Sequence, residues 1–388
     1  MSSTDCFAPP AIRVDLGAIF VSLELSRKRW LVTSLSPGAG EKMSRHAVAG
    51  ADLAGLLALF EALRKKAQAR TGRWWGVVCL QEAGLDGFWL HRALEAEGVK
   101  SHLVDPASVA VNRRKRRAKS DKIDGAALLR TLMAWTRGEP QTCSMVRAPS
   151  PEAEDRRRPC RERATLMKER VEHANRIKGL LFAQGIGDYE PLLKSRRKRL
   201  AALTTGDGRP LPAHLKRQIE RELDRLELVI EQLKAVEAER DQLLAGEASG
   251  GRPAPGARLK LLKGLAEERA AVIAGELLWR SFENRRQVGA YAGLVGSPFK
   301  SGQTDHEQGL SKSGNKRLRH TMIELAWSWL QHQPTSELSS WFHQRLGPKP
   351  DKRRKKTLIA ALARKLLIAL WRFETQGLVP AGAVLKIP

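Results

Sequence analysis

The sequence predicts three parts in order: an α/β N-terminal domain over residues 1–147, a charged helical linker over 148–255 and a mostly α-helical C-terminal domain over 256–388. Three observations predict this. Short apolar runs alternate with helix-period segments in the first part. Apolar positions spaced by threes and fours, with dense charge between them, fill the middle. Apolar helical segments separated by Gly-containing turns make up the rest. At 388 residues, two or three domains can each bury a core.

The elements follow in order. Ile12-Arg13-Val14-Asp15-Leu16 reads as a strand, followed by Ile19 to Leu25 and Trp30 to Leu35, a three-stranded antiparallel start. Asp52 to Arg70 has helical periodicity at Leu53, Leu56, Leu57, Phe60 and Leu63. Trp75 to Leu80 is a short apolar run of buried-strand type, and Glu82 lies just past its end. Phe88 to Glu97 predicts a helix, Val99 to Val104 a strand and Gly125 to Trp135 another helix. This order is a mixed sheet with one antiparallel hairpin.

Ala148-Pro149-Ser150-Pro151 reads as an exposed joint, and Glu162 to Gln184 as a helix. Lys194 to Arg199 is a basic cluster. From Leu215, the apolar positions Ile219, Leu223, Leu226, Ile230 and Leu233 predict a long helix or short coiled coil, either a solvated hairpin or a dimerisation arm. Glu247 to Gly256 reads as a flexible linker. Ala270 to Glu276 and Phe282 to Leu294 predict two helices after a tight turn at Gly264. Tyr291 to Gly302 predicts a loop holding Ser301 beside Lys300; a basic helix start with Lys312, Lys316, Arg317 and Arg319 follows, capped at Ser313 or Gly314. Met322 to Leu330 predicts a buried helix that takes Trp327 and Trp329 into the core.

A hydrophobic content of 42% is ordinary, but the formal net charge of +26 is not. It implies a polyanionic partner. Nucleic acid is the better choice over a membrane surface. The N-terminus carries no signal-like apolar core, and the best spanning candidate, Leu358 to Trp371, is interrupted by Arg364 and Lys365. Cys6, Cys79, Cys143 and Cys160 lack zinc-ligand spacing and predict reduced, mostly structural thiols in a cytoplasmic protein. Basic runs at Arg113-Arg114-Lys115-Arg116-Arg117, with Lys119 just beyond, and at Lys349 to Lys356 are candidate phosphate contacts.

The chemistry centres on Ala118-Lys119-Ser120-Asp121-Lys122-Ile123-Asp124. Asp121 and Asp124, three apart, share one helix face, where two carboxylates repel unless a cation or proton lies between them. Alone, the pair is equally an N-cap with a second acid favouring the helix dipole. Asp15 and Glu82 raise the number of acids at strand ends and on the last helix to four, a set suited to Mg2+ at a phosphodiester. Downstream, a serine beside glycine among cations has the makings of a nucleophile. On spacing alone Ser297, Ser311 and Ser313 compete with Ser301.

Gln81-Glu82-Ala83-Gly84, Ala93 to Val99, Val104-Asp105-Pro106 and Ala118 to Asp124 together resemble the N-terminal DEDD domain of the insertion-sequence-110 transposase family. Tyr291 to Gly302 and Gly309 to Arg319 resemble its C-terminal transposase domain. The turn Ala83 to Phe88 and the turn Gly264-Leu265-Ala266-Glu267 depart from the family pattern, the second lacking the usual Gly-x-Gly of a helix-hairpin-helix element. The resemblance implies a RuvC-like, RNase-H-type fold for the first domain, with Asp15, Glu82, Asp121 and Asp124 holding Mg2+. It implies Ser301 as the residue that forms a phosphoserine link to DNA. It also implies donor and target DNA chosen by a structured bridge RNA, and a homo-oligomer, dimer or tetramer, in which acids and serine come from different subunits. Two rivals are a hydrolytic RuvC-like junction nuclease and a non-catalytic nucleic-acid-binding protein.

Overall fold

The computed structural model describes residues 17–40, 42–84, 87–109, 121–139, 142–248, 252–301, 304–348 and 351–386, with backbone alone at 121–123, 247–248, 252–253, 299–301 and 304–308. The chain divides into two compact units, residues 1–148 and 149–388.

The first unit is a five-stranded sheet. Its strands are β1 (Ala18–Glu24), β2 (Arg29–Leu35), β3 (Ser44–Ala49), β4 (Gly76–Glu82) and β5 (Lys100–Val104), in the spatial order β3-β2-β1-β4-β5. β1, β2 and β3 are antiparallel neighbours, whereas β4 runs parallel to both β1 and β5. The antiparallel trio is therefore completed by Ser44–Ala49, which the sequence did not announce; Ile12 to Leu16 lies outside the described residues. In β3 only Val48 is buried, so this edge strand carries almost no apolar signal.

Helices cover both faces, which is why β1 and β4 are apolar almost throughout. On one face Ile19, Val21, Leu23, Val77 and Cys79 pack with α1 (Leu53–Thr71) and α2 (Trp89–Ala96) through Leu56, Phe60, Leu90 and Leu94. On the other, Ala18, Phe20, Val78 and Leu80 pack with α3 (Asp121–Thr136) through Leu128, Leu129, Leu132 and Met133. Asp52 caps α1 by accepting from the Gly55 amide at 2.8 Å.

The second unit begins with α4 (Pro151–Asp155), where the sequence reads as an exposed joint. Ser150 as N-cap and Pro151 in the first turn suffice to start a short helix. α5 (Arg158–Phe182) then packs along α7 (Ala213–Ala245), with α6 (Arg196–Ala201) between them in sequence. Ile177, Leu181, Ile219, Leu223 and Leu226 make the core of this pair. A buried ion cluster fastens it: Glu222 accepts from Arg176 Nη1 at 3.0 Å and Arg225 Nη1 at 2.8 Å, and stands 2.7 Å from His173 Nδ1. Two members of the basic cluster after Lys194 are also spent internally, since Arg196 and Arg197 bond Glu227 on α7 at 2.7 and 2.6 Å.

The predicted flexible linker contains a short antiparallel pair, β6 (Glu247–Ala248) with β7 (Arg252–Pro253). A 3₁₀ turn (Arg258–Leu261) leads to Gly264, whose φ of +81° and close approach to His332 admit no side chain. α8 (Glu267–Glu276), α9 (Arg285–Tyr291), α10 (Lys316–His332), α11 (Glu337–Leu346) and α12 (Lys352–Gln376) enclose a core that includes Ile273, Leu318, Met322, Trp329, Phe342, Leu366 and Leu370. Trp327 departs from expectation: it is 39% exposed while Trp329 is buried, because the two are only two residues apart on a helix and face different ways. Among the described residues no helix is long and apolar enough to cross a membrane.

Candidate active site and nucleic-acid interface

The sheet brings acids together at one end. β1 and β4 pair in parallel with Ala18 opposite Gly76 and Leu23 opposite Gln81, which sets Glu24 beside Glu82 at the strand ends. Alternation along a strand fixes which face each side chain takes. Ala18, Phe20, Val78 and Leu80 face α3, so Glu24 and Glu82, in step with them, lie on the α3 face too. Ser22, also in step, donates its hydroxyl to the Gly125 carbonyl at 2.7 Å. A Cβ on Gly125 would come within 2.6 Å of Thr33 Oγ1, so glycine lets the helix sit this close to the sheet. Leu128, Leu129, Leu132 and Met133 are buried in the Ala18 and Phe20 cluster; hence the first turn of α3, with Asp121 and Asp124, lies toward the Glu24 and Glu82 end.

Glu82 is exposed, Asp124 is half-buried, and Asp121 contributes a described backbone only. Asp15 lies outside the described residues. In sequence it precedes Ala18, the end of β1 opposite Gly76, whereas Glu24 closes the strand beside Glu82. Glu24 is the acid that sequence reasoning passed over. Its signal was present: an acid two residues past Ser22 in an otherwise apolar strand. Among the described residues no three carboxylate, imidazole or thiolate groups are clustered tightly enough to chelate an ion. The described cysteines are free, and burial pushes the thiols of Cys79 up to about 12 and Cys160 up to about 11, which removes them as nucleophiles.

In the second unit the predicted serine loop is an antiparallel hairpin, β8 (Gly296–Ser301) with β9 (Thr304–Leu310). Ser301 ends β8 opposite Thr304, and Lys300 pairs with Asp305; the side chains of Lys300 and Ser301 are not among those described. The reason a loop was expected is the Gly and Pro content of this run, which a two-stranded ribbon tolerates at its edges. The hairpin's stem is tightly built. Ser311 N bonds Val295 O at 2.9 Å, and Asn315 N bonds Tyr291 O at 2.8 Å. Gly293 and Gly314 take φ of +64° and +83°, and a Cβ on either would run into the carbonyl of Ser313 or Tyr291. Arg319 Nη1 reaches the carbonyls of Ala292 at 3.1 Å and Ser313 at 3.2 Å, so this cation belongs to the stem.

The cap of α10 is Asn315 rather than Ser313 or Gly314: its side chain accepts from Leu318 N at 3.0 Å. Asn315 also donates to Glu276 Oε2 at 2.8 Å. Glu276, 2% exposed, accepts from Arg161 Nε of α5 at 3.0 Å and lies 3.7 Å from Arg317 Nε. Burial alone would raise the Glu276 carboxyl, but the bonds from Arg161 and Asn315 outweigh it and hold the group below its ordinary value. Arg317 is thus turned to the interior, also bonding Cys160 O at 3.4 Å. Lys312 and Lys316 are exposed. Arg113, Arg114, Lys115, Arg116, Arg117 and Lys119 lie outside the described residues.

The α8 to α10 region coincides with a recognised family. The model described as "Transposase IS116/IS110/IS902 family" matches residues 256–339. The chain is 60% identical over 388 residues, 98% of each chain, to "Putative transposase y4rJ" of Sinorhizobium fredii (strain NBRC 101917 / NGR234). It is 28% identical over 222 residues to the "Transposase for insertion sequence element IS1328" of Yersinia enterocolitica, a stretch covering 56% of this chain and 62% of that one. With near-complete coverage at this identity and a matching domain model over the serine hairpin, the chain belongs to the IS116/IS110/IS902 family of transposases.

Proposed function

We propose that this transposase is a magnesium-dependent, site-specific DNA recombinase that cuts and rejoins through a phosphoserine link. The observation that supports the reading best is the register of β1 on β4, with Glu24 and Glu82 at neighbouring strand ends and the Asp121–Asp124 turn directed toward them. In this reading the first unit is a RuvC-like, RNase-H-type domain. Glu24, Glu82, Asp121 and Asp124 hold Mg2+; an all-carboxylate set suits a hard cation. The ion supplies charge neutralisation at the scissile phosphate. Glu24 takes the place assigned to Asp15 on sequence grounds.

Ser301 is the nucleophile. Its hydroxyl gives up a proton, an Oγ–P bond forms, one ester O–P bond of the DNA breaks, and the leaving deoxyribose oxygen takes a proton. The bond count is conserved, so an incoming hydroxyl can later displace the serine and rejoin DNA without an energy source. The stem built by Gly293, Gly314 and Arg319 fixes the ribbon that carries this residue. Lys300, Lys312 and Lys316 stabilise the phosphate charge, and the Arg113 to Lys119 run binds the DNA or RNA backbone. A structured bridge RNA selects donor and target DNA, and a homo-oligomer, dimer or tetramer, acts in the cytoplasm.

The test is incubation of the protein with Mg2+, element-end DNA and the flanking RNA transcript, followed by denaturing electrophoresis. A protein–DNA adduct that requires Mg2+ and disappears in Ser301→Ala is expected. Free cut ends from Ser301→Ala would instead establish a hydrolytic nuclease.

A further inference from the structure

The charge of the second unit is not spread evenly. Along α5, α6 and α7, six arginines are matched by carboxylates: Arg161 with Glu276, Arg163 with Glu237, Arg176 and Arg225 with Glu222, Arg196 and Arg197 with Glu227. The start of α12 is different. Lys352, Arg353, Lys355 and Lys356 are exposed, and among the described residues none of them forms an ion pair; the nearest acid, Asp351, is occupied as the N-cap, accepting from Arg354 N. Leaving four cations unneutralised on one turn is unfavourable unless an anion answers them.

Beside this turn lies Trp327 of α10, 39% exposed, with Lys355 Nζ 5.1 Å from its ring centre. A large indole left in water on a helix that buries Leu325, Ala326 and Trp329 is costly surface, and its cation–π contact with lysine is weaker than stacking on a base. Trp327 also lies on a stripe. Lys316, His320, Glu324, Trp327 and Gln331 are exposed at spacings of three and four, so they line one side of α10. Lys316 opens the helix at the stem of the Ser301 hairpin, and eleven residues of helix carry the stripe about 16 Å from there to Trp327.

We propose that the Trp327–Lys355 face, with Lys352 and Lys356, is a stacking platform for an unpaired DNA strand running along α10 from the Ser301 hairpin. A base displaces the Lys355 ammonium from the indole, and the released ammonium pairs with the adjoining phosphate. The occupant is DNA because the stripe is continuous with the element that bears the proposed nucleophile. The inference therefore rests on the reading of Ser301 given above, but it is tested by binding alone.

The experiment titrates the full-length protein with a fluorescein-labelled 15-mer of deoxythymidylate, the same sequence as RNA, and a 20-base-pair duplex, across several salt concentrations. Trp327→Ala is expected to weaken the unpaired DNA about tenfold, leaving the salt slope and melting temperature unchanged. Trp327→Phe should restore most of the loss. Lys352→Gln with Lys356→Gln should instead lower the salt slope on the single strand by about 0.7 for each phosphate no longer neutralised. Binding of Trp327→Ala within twofold of the parent overturns the platform. Equal loss on duplex assigns the face to backbone contact, and a larger loss on RNA assigns it to a guide strand; each overturns the proposal. A change in sedimentation without a change in binding makes the face a protein contact and overturns it as well. If the parent binds none of the probes, the nucleic-acid reading itself fails, which distinguishes that failure from this one.

Discussion

Glu24 and Asp15 are told apart by exchanging each carboxylate for its amide. If the strand-end acids hold the ion, Glu24→Gln abolishes strand transfer in Mg2+ while DNA binding persists, because the amide cannot bring the charge that a hard cation needs. Asp15→Asn should then leave transfer near the parent's rate. Transfer assays with binding measured in parallel decide it, and full activity of Glu24→Gln would return the role to Asp15. The element boundaries beside which Glu82 and the Asp121–Asp124 pair stand were legible from the chain. The place of Glu24 beside Glu82 was not, since it comes from the parallel pairing of Leu23 with Gln81, a contact between residues far apart in sequence. Likewise Trp327 and Trp329 look alike in sequence, and only the packing of α10 on α12 separates the buried one from the exposed one.

At the scale of elements, the hairpin stem and the Glu276 cluster carry the sharpest consequences. Gly293→Ala forces a left-handed backbone on a residue with a side chain, costing about 1–3 kcal/mol before the overlap with the Ser313 carbonyl is counted. A lowered melting temperature is expected, together with loss of any Ser301 adduct greater than the stability change explains. Glu276 joins three helices by holding Arg161 of α5 and the Asn315 cap of α10 from its place on α8. Glu276 is buried but the arginine it leaves behind is half-exposed, so Glu276→Ala should destabilise by about 1.5–3 kcal/mol, the worth of its charge-assisted hydrogen bonds. Its pH dependence has a definite sign. The folded carboxyl is held below the unfolded value near 4.5, so its contribution is complete above that pH and is lost as pH falls below it through the folded value. Thermal melts of Glu276→Ala should accordingly lose less stability between pH 5 and 3 than the parent; parallel curves would remove Glu276 from that role. Helices α1, α2, α3, α5, α7, α8, α9 and α10 were legible from the chain, whereas α4, α6, α11 and α12 were not. The β8–β9 ribbon was not either, since Gly and Pro in a run read as a loop until a second strand is seen to pair with it.

Over the whole molecule, a net charge of +26 does not make every basic run a nucleic-acid contact. The chain keeps two kinds of arginine. One kind knits helices: Arg196 and Arg197 look in sequence like an exposed basic cluster, yet both bond Glu227, and Arg197 also bonds Asp224. The other kind has no such partners in its own neighbourhood of the sequence, as in Arg113-Arg114-Lys115-Arg116-Arg117, where the nearest following acid is Asp121. Counterion release separates the two. Neutralising Arg113, Arg114, Arg116 and Arg117 together should lower the slope of log affinity against log salt on duplex DNA by roughly 3 to 4, about 0.9 for each phosphate no longer neutralised, with little change in melting temperature. Neutralising Arg196 and Arg197 should do the opposite. The slope stays fixed, because those charges already face carboxylates, and the melting temperature falls by roughly 2–4 °C for each kcal/mol of pairing removed, with each half-exposed pair contributing up to about 1 kcal/mol. Salt titrations and melts on the two variants test both halves. A slope lowered equally in both would mean that DNA competes successfully for the α6 arginines, and that the ion pairs on α7 open when the transposase binds.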